Sequence, residues 1–346
     1  MRDETVRLPA RQNGRDIQLT ATLYTPNGEG PFPLVVINHG KSPGKASEQP
    51  DSRFYPESLQ FVRRGYAVLV PVRAGFGSSG GSYLSGCRQP LATLSDFWAD
   101  DVKAAIDYAR TLPYIDTRRI VVVGASQGGL VSTALGVRDV PGLLGIVNFA
   151  GGLRQENCRD WANRNTAAFR TYGANTNVPA LFIYGDNDAY WGDGKLSRRF
   201  FNAYHAGNPR STYVDTGVFA KDTSHHLFEN FDGLDIWVPI VGRFFQRLGL
   251  TWDIVQPPHS DGAAALGDAD AVPFQRSRNT IRSGYERFLL MDPKNGRAFA
   301  LSENGAWSRQ SGKNAAQKAL DSCREHRGVD CRLYAVDGQV VYQNSP

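Results

Sequence analysis

A run of β-branched residues, Ile120-Val-Val-Val123, leads straight into Gly124-Ala-Ser126-Gln-Gly128-Gly129. The order predicts a buried strand, a sharp turn carrying Ser126, and a helix from about Gly128 to Val137. A serine on such a turn holds its hydroxyl clear of the sheet. Only residues without bulky side chains fit beside it, which accounts for Gly124 and Gly128. The helix behind it aims its free N-terminal amides at the same point, where developing negative charge is favoured. Glycine and serine are ordinary loop residues, so the spacing means little alone. Strand, glycine-flanked serine and helix together are the signature of a serine nucleophile.

The surrounding chain repeats the strand-then-helix theme. Thr20–Tyr24, Leu34–Asn38 and Tyr66–Val70 read as strands. In Asp96–Leu112, Trp98, Val102, Ala105, Ile106, Ala109 and Leu112 recur at helical spacing. Leu144–Phe149 and Ala180–Tyr184 are further apolar runs, separated by a polar, helix-compatible insert. Alternation of this kind predicts an α/β fold, a mostly parallel sheet with helices on both faces, over residues 1–250. Residues 251–273, rich in Pro, Gly, Ala and Asp, read as a linker. Residues 274–346 read as a small α+β domain with a β-β-α-β pattern. Its expected strands are Arg287–Met291, Ala298–Leu301 and a pair near Leu333–Tyr342, with Trp307 on a turn and a helix at Asn314–Glu325.

Charge and cysteine content narrow the function classes. Thirty-nine basic against 34 acidic residues leave a net charge of +5 over 346 residues, with no Lys/Arg run. That argues against a nucleic-acid partner. No apolar run approaches the roughly 20 residues of a membrane span. The four cysteines form no Cys-x-x-Cys motif, so a metal site is not expected. Their even count suits disulfides Cys323–Cys331 and Cys87–Cys158, and hence a periplasmic or secreted mature form without its signal peptide. The alternative is four reduced, unrelated cysteines in a cytoplasmic protein.

A serine nucleophile needs a base, an orienting acid and an oxyanion hole. With the acid and then the histidine following the serine in chain order, His205, His225 and His226 remain as bases within the first domain. His225 and His226 lie in a loop, Asp222-Thr-Ser-His-His-Leu-Phe228, after an expected strand at Ser211–Asp215. His205 falls in a helix-like stretch. The acid should follow the next core strand, and Gly185-Asp-Asn-Asp188 offers Asp188, with Asp186 as the alternative and Asp193 and Asp222 more distant. One oxyanion amide is expected from Gln127 and the other from Lys41, after the strand ending Asn38-His39-Gly40. His39 is expected to be structural, with a role as base the alternative. Tyr190, Trp191 and Trp161, with Arg154 and Arg159, border the expected pocket, or else pack the insert onto the body.

These residues together resemble the α/β-hydrolase superfamily, in its dienelactone-hydrolase-like and prolyl-oligopeptidase-like branch, over about Leu19 to Leu248. The resemblance rests on Asn38-His-Gly40, Arg73-Ala-Gly-Phe-Gly-Ser-Ser-Gly80, Tyr114-Ile-Asp-Thr-Arg-Arg-Ile120, the serine turn, Gly185-Asp-Asn-Asp188 and the His225 loop. It implies Ser126 as nucleophile, Asp188 as acid and His225 as base, with His226 the alternative if a His-x-Phe spacing governs. Dienelactone hydrolases use cysteine as nucleophile, so dienelactone itself is not an implied substrate. The resemblance implies a carboxylesterase-like serine hydrolase acting on small-molecule esters without a cofactor. A peptidase, or a non-catalytic binding protein retaining the fold, are the alternatives. The terminal domain resembles a cysteine-containing module of exported bacterial proteins, through Ala298-Phe-Ala300, Trp307 and Cys331-Arg-Leu-Tyr-Ala335. A cell-envelope or protein partner is the role considered for it.

Overall fold

The computed structural model describes residues 1–155, 157–255, 272 and 278–342. These fall into two compact units, Arg2–Val255 and, with Met1, Gln256–Pro346. His259 and most of the expected linker lie outside the described residues.

The first unit opens with a hairpin, β1 (Arg2–Gln12) and β2 (Arg15–Thr25), closed by the two-residue turn Asn13-Gly14. Both turn residues have positive φ, 50° and 77°. Asn-Gly meets that requirement at little cost and matches the twist of the flanking strands. The strands that follow are β3 (Phe32–Asn38), β4 (Ala67–Pro71), β5 (Ile115–Ala125), β6 (Leu143–Phe149), β7 (Ala180–Tyr184) and β8 (Ser211–Asp215). The sheet order is β1-β2-β4-β3-β5-β6-β7-β8, parallel from β4 to β8 and antiparallel at the β1–β2 edge. The chain steps from β3 outward to β4, then crosses back to β5 on the other side of β3. The crevice above the carboxyl ends of β3 and β5 is therefore a topological switch point, where open α/β sheets bind their ligands.

Both faces of the sheet are covered, as the alternation along each strand shows. Leu34, Val36, Ile120, Val122, Ile146 and Phe182 join one core with α2 (Leu91–Ala109), α3 (Gln127–Leu135), α4 (Trp161–Ala174) and α5 (Lys195–His205). The intervening Val35, Ile37, Val121, Val123, Val147 and Leu181 point the other way and are equally buried. On that face α1 (Tyr55–Val62) and α6 (Leu234–Arg247) share an aromatic layer, with Phe61 5.7 Å from Phe245 and 6.0 Å from Trp237. A strand buried on both sides needs continuous apolar sequence, which is why β3 and β5 are so readable. The unit continues past residue 250. Val255 N–H donates to Arg63 O at 2.9 Å, and the Arg64 guanidinium lies 4.5 Å from the Trp252 ring.

The second unit differs from its expected pattern. Residues 278–289 form α7, so the apolar run after Arg287 ends a helix and does not make a strand. Ile281, Tyr285 and Phe288 repeat at i, i+4 and i+7, and that period outweighs the short Phe288-Leu-Leu-Met run. Tyr285 and Phe288 pack on Phe299 at 5.1 and 5.8 Å. Trp307 lies not on a turn but at the start of a strand. β9 (Arg297–Leu301), β10 (Trp307–Ser311), β11 (Arg332–Val336) and β12 (Gln339–Val340) form an antiparallel sheet of order β10-β9-β11-β12, covered by α8 (Ala315–Glu325). The order of elements is thus helix, two strands, helix, two strands. Both expected disulfides, Cys87–Cys158 and Cys323–Cys331, are present. No helix among the described residues is long and apolar enough to cross a membrane.

Candidate active site

Ser126 stands at the carboxyl end of β5, between the ends of β3 and β6. Its backbone lies at φ 55°, ψ −124°, a conformation that costs a non-glycine residue on the order of 1–3 kcal/mol. The flanking glycines are sterically required. A Cβ on Gly128 would sit 2.1 Å from Asn38 O, and one on Gly124 2.2 Å from Gly128 O. Ser126 N–H donates to Phe149 O at 2.9 Å, which fixes the turn to β6.

Two loops meet over this serine. The turn after β7 carries Asp188 and the loop after β8 carries His225; both side chains are buried. His225 Nε2 lies 3.0 Å from Ser126 Oγ, and His225 Nδ1 lies 3.1 and 3.0 Å from the two Asp188 oxygens. Asp188 Oδ1 also accepts the Tyr190 and Trp191 amides at 2.8 and 3.0 Å. With the carboxylate accepting, Nδ1 carries the proton and Nε2 is free to accept from the serine hydroxyl.

Asn187 and Thr223 join the two loops. Asn187 Nδ2 donates to Phe219 O and Asp222 O at 3.0 Å each, and Oδ1 accepts Phe219 N–H at 2.8 Å. Thr223 Oγ1 donates to Asn187 O and accepts the Ala189 amide. His226 is turned to solvent and pairs with Asp222 at 2.9 Å. His205 bonds Ser211 Oγ on the surface side of α5, and Asp193 pairs with Lys195.

Below the serine lies a buried polar network around His39 and Arg73. Arg73 N–H donates to His39 Nε2 at 3.0 Å, so His39 holds its proton on Nδ1 and donates to Gly40 O at 2.7 Å. Burial, and then the adjacent Arg73 cation, hold the His39 pKa well below the ordinary imidazole value. Arg73 is itself fully buried and donates to His39 O at 2.6 Å, Gly40 O at 3.3 Å and Gln127 Oε1 at 2.9 Å. Gln127 Nε2 donates to Tyr83 OH at 2.9 Å, and the Tyr83 ring stacks on Trp98 at 5.7 Å.

Aromatic side chains surround His225. The Tyr190 ring lies 4.3 Å from the His225 ring and Trp191 5.8 Å from it. Trp191 Nε1 donates to Ala150 O at 2.7 Å, which locks the indole in place. Trp161 packs on Trp191 at 5.8 Å with the Arg154 guanidinium 5.4 Å from its ring, while Arg159 is exposed. The Cys87–Cys158 disulfide joins the segment after β4 to the segment before α4. Arg164 of α4 donates to the carbonyls of Gly86, Cys87 and Gln89 there. Among the described residues no group of three His, Cys, Asp or Glu side chains could hold a metal ion.

The fold of the chain matches solved structures despite low sequence identity. An esterase from Pyrococcus furiosus superposes with a TM-score of 0.52 at 17% identity, over 72% of this chain and 91% of that one. The chain has the α/β-hydrolase fold. The fold also matches the acylaminoacyl peptidase of Pyrococcus horikoshii, with a TM-score of 0.53 at 16% identity, over 70% of this chain but 41% of the peptidase. In sequence, residues 13–174 match the X-Pro dipeptidyl-peptidase (S15) family profile, a segment that includes Ser126 and stops short of Asp188 and His225. The quorum-quenching protein AidA of Acinetobacter baumannii is 36% identical over 122 residues, 35% of this chain and 36% of that protein. The chain thus spans about a third of the length of the curated relatives it matches.

Sequence reasoning singled out Arg73 only as part of a landmark turn, and passed over Tyr83, Asn187 and Thr223. The common reason is that each acts through contacts far apart in sequence. An arginine between β4 and a glycine-rich turn, where an exposed charge had no obvious need to be, was the available signal.

Proposed function

We propose that this chain is a serine hydrolase that cleaves small esters through an acyl-enzyme on Ser126. The observation carrying the reading is the 3.0 Å approach of His225 Nε2 to Ser126 Oγ, with His225 Nδ1 held by the buried Asp188 carboxylate. His225 takes the hydroxyl proton as Ser126 attacks the ester carbonyl, and Asp188 keeps the imidazole in the required tautomer and stabilises the imidazolium. The tetrahedral oxyanion is received by the amides of Gln127, at the first turn of α3, and Lys41. His225 then protonates the departing alcohol. A water activated by the same imidazole releases the acid and restores the serine. Tyr190 and Trp191 wall the base side of the site, with Trp161 behind them, and the short 151–178 insert leaves the cleft open to compact substrates.

The S15 match favours a peptidase as the second reading. A quorum-quenching relative adds bacterial signal molecules to the compounds worth testing. The two disulfides support an extracytoplasmic location.

The test is intact mass after exposure to a fluorophosphonate, followed by peptide mapping and turnover of short-chain aryl esters and aminoacyl amides. One adduct on Ser126 is expected, retained in His226→Ala and reduced by ~10³-fold or more in rate in His225→Ala. No adduct on the wild-type protein would sink the enzymatic reading in favour of a binding protein. Faster turnover of amides than of esters would move the function to the peptidase.

A further inference from the structure

Arg73 is a guanidinium with no exposed surface, and among the described residues no carboxylate forms an ion pair with it. Only the field of the buried Asp101 carboxylate offsets its charge. Buried charge is expensive, so such a group is retained where its hydrogen bonds or its field act on something. Its guanidinium lies 5.2 Å from the Phe76 ring, but every side-chain hydrogen bond it makes goes to the loop after β3 or to the first residue of α3. It holds His39 O, Gly40 O and the Gln127 side chain simultaneously.

The orientation of one peptide unit follows from these contacts. The carbonyl of Gly40 and the amide of Lys41 belong to the same planar trans group and point in opposite directions. Gly40 O is drawn inward by Arg73 Nη2 and by His39 Nδ1, so the Lys41 N–H is turned outward. Gly40 itself is pressed against the serine: a Cβ there would lie 3.2 Å from Ser126 Cβ and 3.8 Å from Ser126 Oγ. The outward amide therefore emerges beside Ser126. The positive charge behind that carbonyl polarises the peptide and strengthens its N–H as a donor.

We propose that Arg73 is a positioning residue for the oxyanion site, aiming the Lys41 amide and tying the segment that bears it to Gln127, which supplies the second amide. The inference rests on the hydrolase reading above and adds to it a residue that touches no substrate. Its effect is specific to the transition state, where the oxygen becomes negative and draws on both amides.

The experiment compares wild type, Arg73→Gln and Arg73→Lys, with active sites counted by fluorophosphonate and folding checked by circular dichroism. Arg73→Gln is expected to lower kcat per active site by ~10²-fold, the scale of losing one oxyanion donor, with KM within about twofold. Arg73→Lys keeps a charge but cannot span the two carbonyls and Gln127 Oε1, so about a tenfold loss is expected even though it folds. Affinity for a boronic acid, which forms a tetrahedral adduct on the serine, should fall in parallel with kcat/KM. A merely structural role predicts a lower melting temperature with kcat per active site unchanged, and that result overturns the proposal. Hydrogen exchange over residues 38–42 supplies a readout that does not depend on turnover. Faster exchange in both variants supports the aiming of the Lys41 amide, and unchanged exchange overturns it. A wild type without labelling or turnover would sink the hydrolase reading, while exchange would still decide what Arg73 does.

Discussion

At the scale of single residues, this fold carries several groups that burial has pushed away from their ordinary chemistry. Glu57, in the first turn of α1, is 3% exposed. Desolvation raises its carboxyl pKa to about 8; its own backbone amide opposes the shift, and nearby Glu229 reinforces it. The native state therefore holds a proton on Glu57 over a range in which the unfolded chain does not, from the ordinary carboxylate value near 4.5 up to about 8. Across that window the folded protein binds more protons than the unfolded one, so stability falls as pH rises. Glu57→Gln removes the titration. The wild-type melting temperature should drop relative to the variant by about 10 °C between pH 5 and pH 8, as read by calorimetry. Parallel curves for the two proteins would mean that Glu57 is already ionised at neutral pH. Ser126 is unusual in another way, since its left-handed backbone is held by the crowding of Gly124 and Gly128 and not by any preference of its own.

At the scale of elements, the active geometry depends on two loops from neighbouring strands keeping register with each other. β7 and β8 run parallel, with Tyr184 opposite Asp215, so the turns that follow leave the sheet side by side. Asn187 and Thr223 then join those turns through five hydrogen bonds between loops. Neither side chain reaches the serine. Asn187→Ala is expected to let the histidine loop shift, and displacements near 1 Å cost on the order of 10²-fold in rate. The check is the ratio of kcat to active-site titre, with Thr223→Ala weaker because Thr223 makes fewer of the bonds. Activity unchanged in Asn187→Ala would show that packing of Tyr190 and Trp191 suffices to hold His225 in place.

At the scale of the whole molecule, two disulfides constrain two units with separate cores. Cys87–Cys158 closes a loop of sequence separation 71 in the first unit, and Cys323–Cys331 one of 8 in the second. Chain entropy alone assigns the longer loop about 4 kcal/mol and the shorter about 2.5 kcal/mol. The double variant Cys87→Ala/Cys158→Ala should lower stability by roughly the larger amount and reduce turnover, because the loops it joins carry Tyr83 and lead into Trp161. Cys323→Ala/Cys331→Ala should destabilise the second unit and leave ester turnover unchanged. Unfolding monitored by Trp fluorescence, run beside an activity assay, separates these results. Equal loss of activity in both double variants would tie the second unit to catalysis.

Local sequence determined much of this protein. Continuous apolar strands announced a sheet buried on both faces, because only such a sheet tolerates Val and Ile on successive residues. The glycines around Ser126 announced the turn, because nothing larger fits beneath Asn38 O. The chain order of serine, acid and histidine left His205, His225 and His226 as bases and favoured Asp188 as the acid, with Asp186, Asp193 and Asp222 behind it. Where local signals competed, they failed: the Phe288-Leu-Leu-Met run could be strand or helix until Tyr285 and Phe288 found Phe299 across the small core. Only the tertiary structure decided between His225 and His226 as the imidazole facing Ser126. One residue along a 3₁₀ turn rotates a side chain by about a third of a turn, and the Asn187–Thr223 contacts select which face meets the serine. Arg73 belongs to the same class, since its hydrogen-bond partners come from two segments of chain far from it in sequence. Periodicity and turn chemistry act between near neighbours and are written in the sequence, whereas a buried charge acquires its role from groups that meet only after the sheet has closed.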